Sequence, residues 1–214
     1  MIPSLYAVTP STVCFMHPGA RTSVFWELDP ETASEVLASG AAALEKEAWI
    51  NRILVERGGC GYNIGTVEEP EAIASVLYCA PVDASGVVQL PTGPVSPDAV
   101  LLSSLFIDDR FRGLALESVL VTAVIIELTR RGVRAVEAFA VRDRAPDSAE
   151  DDPSREIAEH ASEIGLLSFD ILSAAGFEVV ADHDLLPRLR LSLSGCDRKQ
   201  IAAAADLPLV MIPG

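Results

Sequence analysis

A strand run, a glycine-punctuated turn and a helix run follow one another without interruption, and this succession constrains the fold most. Residues Ala99 to Ile107 have the apolar character of a central strand. Arg110-Phe111-Arg112-Gly113-Leu114-Ala115 turns the chain, and residues 114–131 read as a helix stopped at Gly132. That helix run is apolar on nearly every face, as expected of a helix pressed onto a sheet. A second strand run, Val133 to Val141, completes a β-α-β unit whose parallel strands need a right-handed crossover. A turn of this kind leaves several backbone N–H groups without partners at the positive end of a helix, a ready seat for an anion. The alternative is a plain strand-to-helix corner with a packing glycine. Neither G-x-G-x-x-G nor G-K-S/T occurs, so no dinucleotide or P-loop fingerprint competes for the turn.

Around this unit the pattern is mixed. Thr12 to His17 is expected as a short strand that turns at Pro18-Gly19 into a second strand, Thr22 to Leu28. Asp29-Pro30-Glu31 is a helix-start signal, and the helix should run to about Arg57, interrupted near Ser39-Gly40 and stopped by Gly58-Gly59. Gly61 to Val67 and Ala72 to Cys79 form a hairpin through Glu68-Glu69-Pro70, and a short strand is expected at Val87 to Leu90. A single helix is expected over Ser154 to Ala175 with Gly176 as its C-terminal glycine, followed by strands at Phe177 to Ala181 and Arg188 to Leu193. The acidic loop 143–156 reads as mobile. Hairpin strands, then β-α-β, then helix and strands predict an α/β fold with a mixed, mostly antiparallel central sheet flanked by helices. Its organisation is one domain over 21–193, an N-terminal extension or hairpin strand at 1–20, and a tail at 194–214 packing on the domain.

Charge narrows the partners. The chain carries −15 at neutral pH. Residues 110–144 nevertheless hold seven arginines against four acids, a surplus of three that leaves −18 for the remainder. An acidic surface repels nucleic acid and steers cations such as amines, while the one basic region coincides with the turn. The alternative for the arginines beyond Arg112 is that they are solvated helix and strand ends. Cys14, Cys60, Cys79 and Cys196 include no C-x-x-C pair, which argues against a zinc site or a disulfide framework and fits a reducing cytoplasm. No basic start precedes a long apolar run, and Glu117 and Glu127 interrupt the longest apolar stretch, so neither a signal peptide nor a membrane span is expected.

The R-x-x-G-x-A pattern, in its strand-to-helix context, resembles the acyl-coenzyme A pyrophosphate loop of the GCN5-related N-acetyltransferases (GNAT). A second match supports it. Leu167-Ser168-Phe169-Asp170-Ile171-Leu172-Ser173-Ala174-Ala175-Gly176-Phe177 resembles the helix that closes on a Gly-Phe pair in that family and leads into a strand. The resemblance covers about 60–193. It implies a cytoplasmic transferase that moves an acetyl group from acetyl-CoA to a primary amine, a small cationic amine or a protein lysine, without metal, nucleic acid or membrane. A homodimer is compatible with it. It also implies that the amides of Arg112, Gly113, Leu114 and Ala115, with Arg110 at the entrance, cradle the pyrophosphate. The strand edge at Leu105, Phe106 and Ile107 would pair with the pantetheine arm.

The same comparison is thin on chemistry. Acetyl transfer needs a neutral amine near the thioester, a donor for the developing oxyanion and an acid for the thiolate. Family members often place a tyrosine four residues before the closing glycine, where this chain has Leu172. An asparagine often lies one to two turns earlier, at Gly165 here, and a glutamate often lies on the strand that carries Ser103 and Ser104. The substitutes are Ser168 as a donor, Glu68 or Glu69 to draw in an amine, and Tyr62 or Tyr78 to line a groove. Each has a structural alternative: a helix serine bonded to its own backbone, solvated tip acids, packing tyrosines. His17, His160, His183 and Cys60 have no partner legible in sequence. The alternative function is an acyl-CoA-binding or partner-binding module that keeps the fold without turnover.

Overall fold

The structure is a computed structural model that describes residues 3–142 and 153–193, with the backbone of 210–211. Its elements are β1 (Ser4–Ala7), α1 (Pro18–Thr22), α2 (Pro30–Ser39), α3 (Ala42–Arg57), β2 (Gly61–Gly65), β3 (Ala74–Cys79), β4 (Ala99–Ile107), α4 (Leu116–Arg130), β5 (Ala135–Val141), α5 (Pro153–Glu159), β6 (Leu167–Ser168), α6 (Phe169–Ala174), β7 (Glu178–Ala181), β8 (Arg188–Ser192) and β9 (Val210–Met211). The sheet order is β7-β8-β5-β4-β3-β2-β1-β9, with β6 paired to β5 off this path. Pairing is antiparallel except for β4 with β5, β1 with β9 and β5 with β6. The expected α/β fold with a mostly antiparallel sheet is therefore present.

Alternation along the strands divides the core. Tyr78, Val76, Leu102, Val136 and Ala138 face α4, which buries Leu116, Leu120, Val124 and Leu128 against them. Leu77, Cys79, Leu101 and Phe139 face the other way, toward Trp26, Trp49, Ile50 and Ile53 from the α1–α3 side.

Two local events in β4 shape the site. The pairing with β3 shifts between Leu77, opposite Ser104, and Tyr78, opposite Leu102. Ser103 is thus the extra residue of a bulge, and its hydroxyl donates to the Leu77 carbonyl at 3.2 Å. A bulge bends and twists its strand. Accordingly β4 and β5 pair only from Ala99 with Ala135 to Leu101 with Glu137, although both strands run on. The last shared rung is pinned by the buried Glu137, which accepts from Arg188 and Arg190 of β8 and from the Ser96 N–H at 3.0 Å. Beyond it the strands part.

Several expectations fail for identifiable reasons. Thr12 to His17 and Thr22 to Leu28 are not strands. A 3-10 turn occupies Val13–Phe15, and α1 starts at Pro18 with the His17 ring as its cap, so proline in the first helical position overrides the β-branched neighbours. The strand expected at Val87 to Leu90 is a 3-10 helix, Ser85–Gln89, seated so closely that a Cβ on Gly86 would lie 1.6 Å from the Phe25 carbonyl oxygen. The single helix expected over Ser154 to Ala175 is two short helices, α5 and α6. Between them Gly165 takes φ +68° and β6 forms. The hairpin, the α2–α3 break at Gly40, β4, α4, β5 and the final strand pair stand where expected. Most of the acidic loop and most of the tail lie outside the described residues.

Candidate functional site

The turn after β4 is built to leave amides bare. Asp108 caps a 3-10 turn over Asp109–Phe111, and Phe111 anchors it by inserting into the α4-side core. Gly113 (φ +80°) and Ala115 (φ +56°) then take left-handed backbone, which non-glycine residues adopt at a cost. Ala115 precedes α4 without any side-chain cap. The Gly113, Leu114 and Ala115 N–H groups meet no acceptor among the described residues, and the first-turn amides of α4 add to them. Residues 112–115 are all exposed, and a Cβ on Gly113 would meet nothing within 4 Å. An anion in this space would satisfy several donors and the helix dipole together.

The two arginines differ in availability. Arg110 grips Asp108 (Nη2 at 2.6 Å) and reaches the hairpin tip at Glu69 (3.0 Å), and its hydrogen bonds hold the Asp108 carboxyl down to about 2. It braces the turn. Among the described residues Arg112 has only the solvent-exposed Asp109 at 2.8 Å, a pair of little net worth, so it can swing. Elsewhere in the basic window Arg131 pairs with Glu127 and Arg142 with Asp182, so much of the sequence-level charge surplus is neutralised by neighbours in space.

Where β4 and β5 part, a cleft of about 650 Å³ runs from Arg112 past Leu105, Phe106 and Ile107 to His17 and Ser168. Its lining is mixed, with Glu117, Ser162 and Glu163 beside Asp108, Asp109 and Arg112, and two further polar groups, Ser168 and His17, at its far end. Ser168 caps α6 by accepting from the Asp170 N–H (3.3 Å), and its hydroxyl proton has no acceptor among the described residues. His17 stacks on Phe106 with centroids 5.8 Å apart, and its Nδ1 accepts the Gly19 N–H at 3.1 Å. Burial lowers its pKa, partly offset by Asp108 and Glu71, so the ring is neutral near pH 7 with its proton on Nε2. The strand edge is partly occupied. The Leu105 N–H donates to the Gly165 carbonyl at 2.8 Å, while Leu167 and Ser168 pair with Ala140 and Val141.

The other sequence candidates lie elsewhere. Tyr78 is buried on the α4 side and, with Tyr62, Glu127 and Arg131, lines a separate cavity of about 540 Å³. Burial raises the pKa of both phenols. Glu68 is exposed on the β2–β3 turn outside the cleft lining, and Glu69 serves Arg110. Leu172 is fully buried in the core. Burial pushes the Cys60 thiol up to about 12, the opposite of a nucleophile. His183 Nδ1 accepts from the Leu185 and Leu186 N–H groups, and His160 caps its own helix end. Among the described residues no group of His, Cys, Asp or Glu could hold a metal ion, and no helix is long and apolar enough to cross a membrane. His17, for which the sequence shows no partner, and the 161–166 wall, expected as helix, line the cleft between β4 and β5. The signals available were His17-Pro18, a helix start, and Gly165 within an otherwise helical pattern.

No family model and no curated protein matches the sequence. Solved structures do match. The PaiA N-acetyltransferase from Thermoplasma acidophilum, in complex with coenzyme A, aligns with a TM-score of 0.51 and 8% identity over 90% of this chain and 99% of that one. YncA from Salmonella typhimurium, described as an acetyltransferase with its cofactor acetyl-CoA, aligns with a TM-score of 0.51 and 14% identity over 91% and 96%. With β4 and β5 parting over an uncapped helix start, this chain has the fold of the GCN5-related N-acetyltransferases.

Proposed function

We propose that the protein is an acyl-coenzyme A-dependent N-acetyltransferase in which the 110–115 turn holds the pyrophosphate and the cleft receives the pantetheine arm and acetyl group. The observation that carries this reading is the bare amide array of Gly113, Leu114 and Ala115 at the mouth of the β4–β5 cleft. The amine attacks the thioester carbonyl directly: a C–N bond forms, the C–S bond breaks, thiolate leaves and the amine's surplus proton passes to solvent. Positioning supplies most of the rate, since Leu172 offers no acid. The Ser168 hydroxyl and the His17 Nε2–H are donors within the cleft, which Ser162 and Arg112 also line, and the overall acidity of the chain favours a cationic acceptor.

Calorimetric titration with acetyl-CoA tests the site. In Gly113→Arg, whose side chain would enter the phosphate space, affinity should fall at least about tenfold, the equivalent of one charge-assisted contact. A folded variant with wild-type affinity would remove the turn from the site. A second reading, a binding module without turnover, is favoured by the core position of Leu172 and the occupied Leu105 amide. Thiol release across a panel of amines separates the two: tight binding with no release for any amine supports the module.

A further inference from the structure

We propose that the segment around Gly165 is an internal competitor for the coenzyme A arm, so that the backbone of this chain, as well as its side chains, sets cofactor affinity. The inference rests on the coenzyme A reading above and deepens it. Backbone groups of an edge strand alternate in direction, so the N–H groups of Leu105 and Ile107 both point away from β3 into the gap left by β5. An extended arm carrying amides would pair with those two positions. Ile107 has no backbone partner on that side among the described residues, whereas Leu105 is already bonded to the Gly165 carbonyl. The arm and the segment therefore want the same donor.

The segment is seated by specific contacts. The Trp26 indole N–H donates to the Ile164 carbonyl at 2.7 Å, and the Leu166 N–H donates to the Ala161 carbonyl at 2.8 Å. Leu167 and Ser168 are held by β5. Gly165 is the residue that lets the backbone come so close. It takes φ +68°, and a Cβ there would lie 2.5 Å from the Phe106 ring. In the closed arrangement the nucleotide end of the site, at Arg112 to Ala115, stays open. Coenzyme A should then bind in two parts: the nucleotide docks freely, and the arm pairs only by displacing Gly165.

Calorimetry on the full chain tests this with two probes, coenzyme A and its nucleotide fragment lacking the arm. Gly165→Ala, which pushes the segment off Phe106, and Trp26→Phe, which keeps the ring packing but removes the donor to Ile164, should each raise coenzyme A affinity by roughly fivefold, the worth of one net hydrogen bond. Affinity for the fragment should not move. Thermal melts identify a variant that fails to fold, and either variant suffices. If the fragment binds normally and coenzyme A affinity is unchanged or lower in the folded variants, the competitor is wrong while the nucleotide site stands. If neither probe binds the wild type, the coenzyme A reading itself is wrong and the competitor falls with it.

Discussion

A proton on Nδ1 of His17 would break the bond that caps α1, because that atom accepts the Gly19 N–H. Burial lowers the pKa of this ring below 6.5, so the folded protein takes up the proton less readily than the unfolded chain. The stability this contributes is complete above about pH 6.5 and is lost as pH falls through the window below it. His17→Asn offers an oxygen in place of Nδ1 and does not titrate. Denaturant unfolding at neutral pH and near pH 5 should show the variant losing less stability on acidification than the wild type. An equal loss in both would show that His17 does not couple to folding. At this scale the sequence was only partly legible. Gly113 announced itself by its place between strand and helix. The fate of Arg110 depended on Glu69, 41 residues away, and no local pattern encodes that pairing.

Strands β4 and β5 hold together through a short shared stretch, and Glu137 sits on its last rung between Arg188, Arg190 and the Ser96 N–H. Burial pushes its carboxyl pKa upward, but these partners outweigh burial and hold it below 4.5. The stabilisation is thus present above that value and lost only in acid. Glu137→Gln leaves two arginines facing a neutral amide and should cost about 3 kcal/mol in urea unfolding. A change in midpoint at constant m-value is the expected signature, and a cost below about 1 kcal/mol would mean that Arg188 and Arg190 find sufficient partners in Thr92 and Asp98. Elements with a single strong period, such as β4 and α4, were legible because one face or both are uniformly buried. The β6–α6 region was not. Its helical spacing is genuine from Phe169 to Ala174, and the preceding residues were absorbed into it because a left-handed glycine inside a periodic run leaves no mark on the period. The bulge at Ser103 was equally silent, since two serines in an apolar strand read the same whether or not one is extra.

Taken whole, the molecule is strongly acidic, and the arginines of the 110–115 turn are paired with neighbouring acids, so the long-range field is negative. If a cationic amine is the acceptor, kcat/KM should fall as ionic strength rises, and the rate with a neutral amine should stay level. Parallel slopes for the two would remove steering from the account. The fold was readable because its order of elements was readable; the acceptor was not, because the cleft walls come from α1 and the 161–166 segment, far apart in sequence. The indole bond from Trp26 to Ile164 has an optical consequence. Of the two tryptophans in the chain, Trp49 is fixed beside the buried Glu27–Lys46 pair and donates to the Asp83 carbonyl, whereas Trp26 touches the one wall that moves if Gly165 gives way. Trp49→Phe would leave a protein with a single tryptophan seated on the cleft wall, and its indole emission would report the entry of a ligand arm with no label attached.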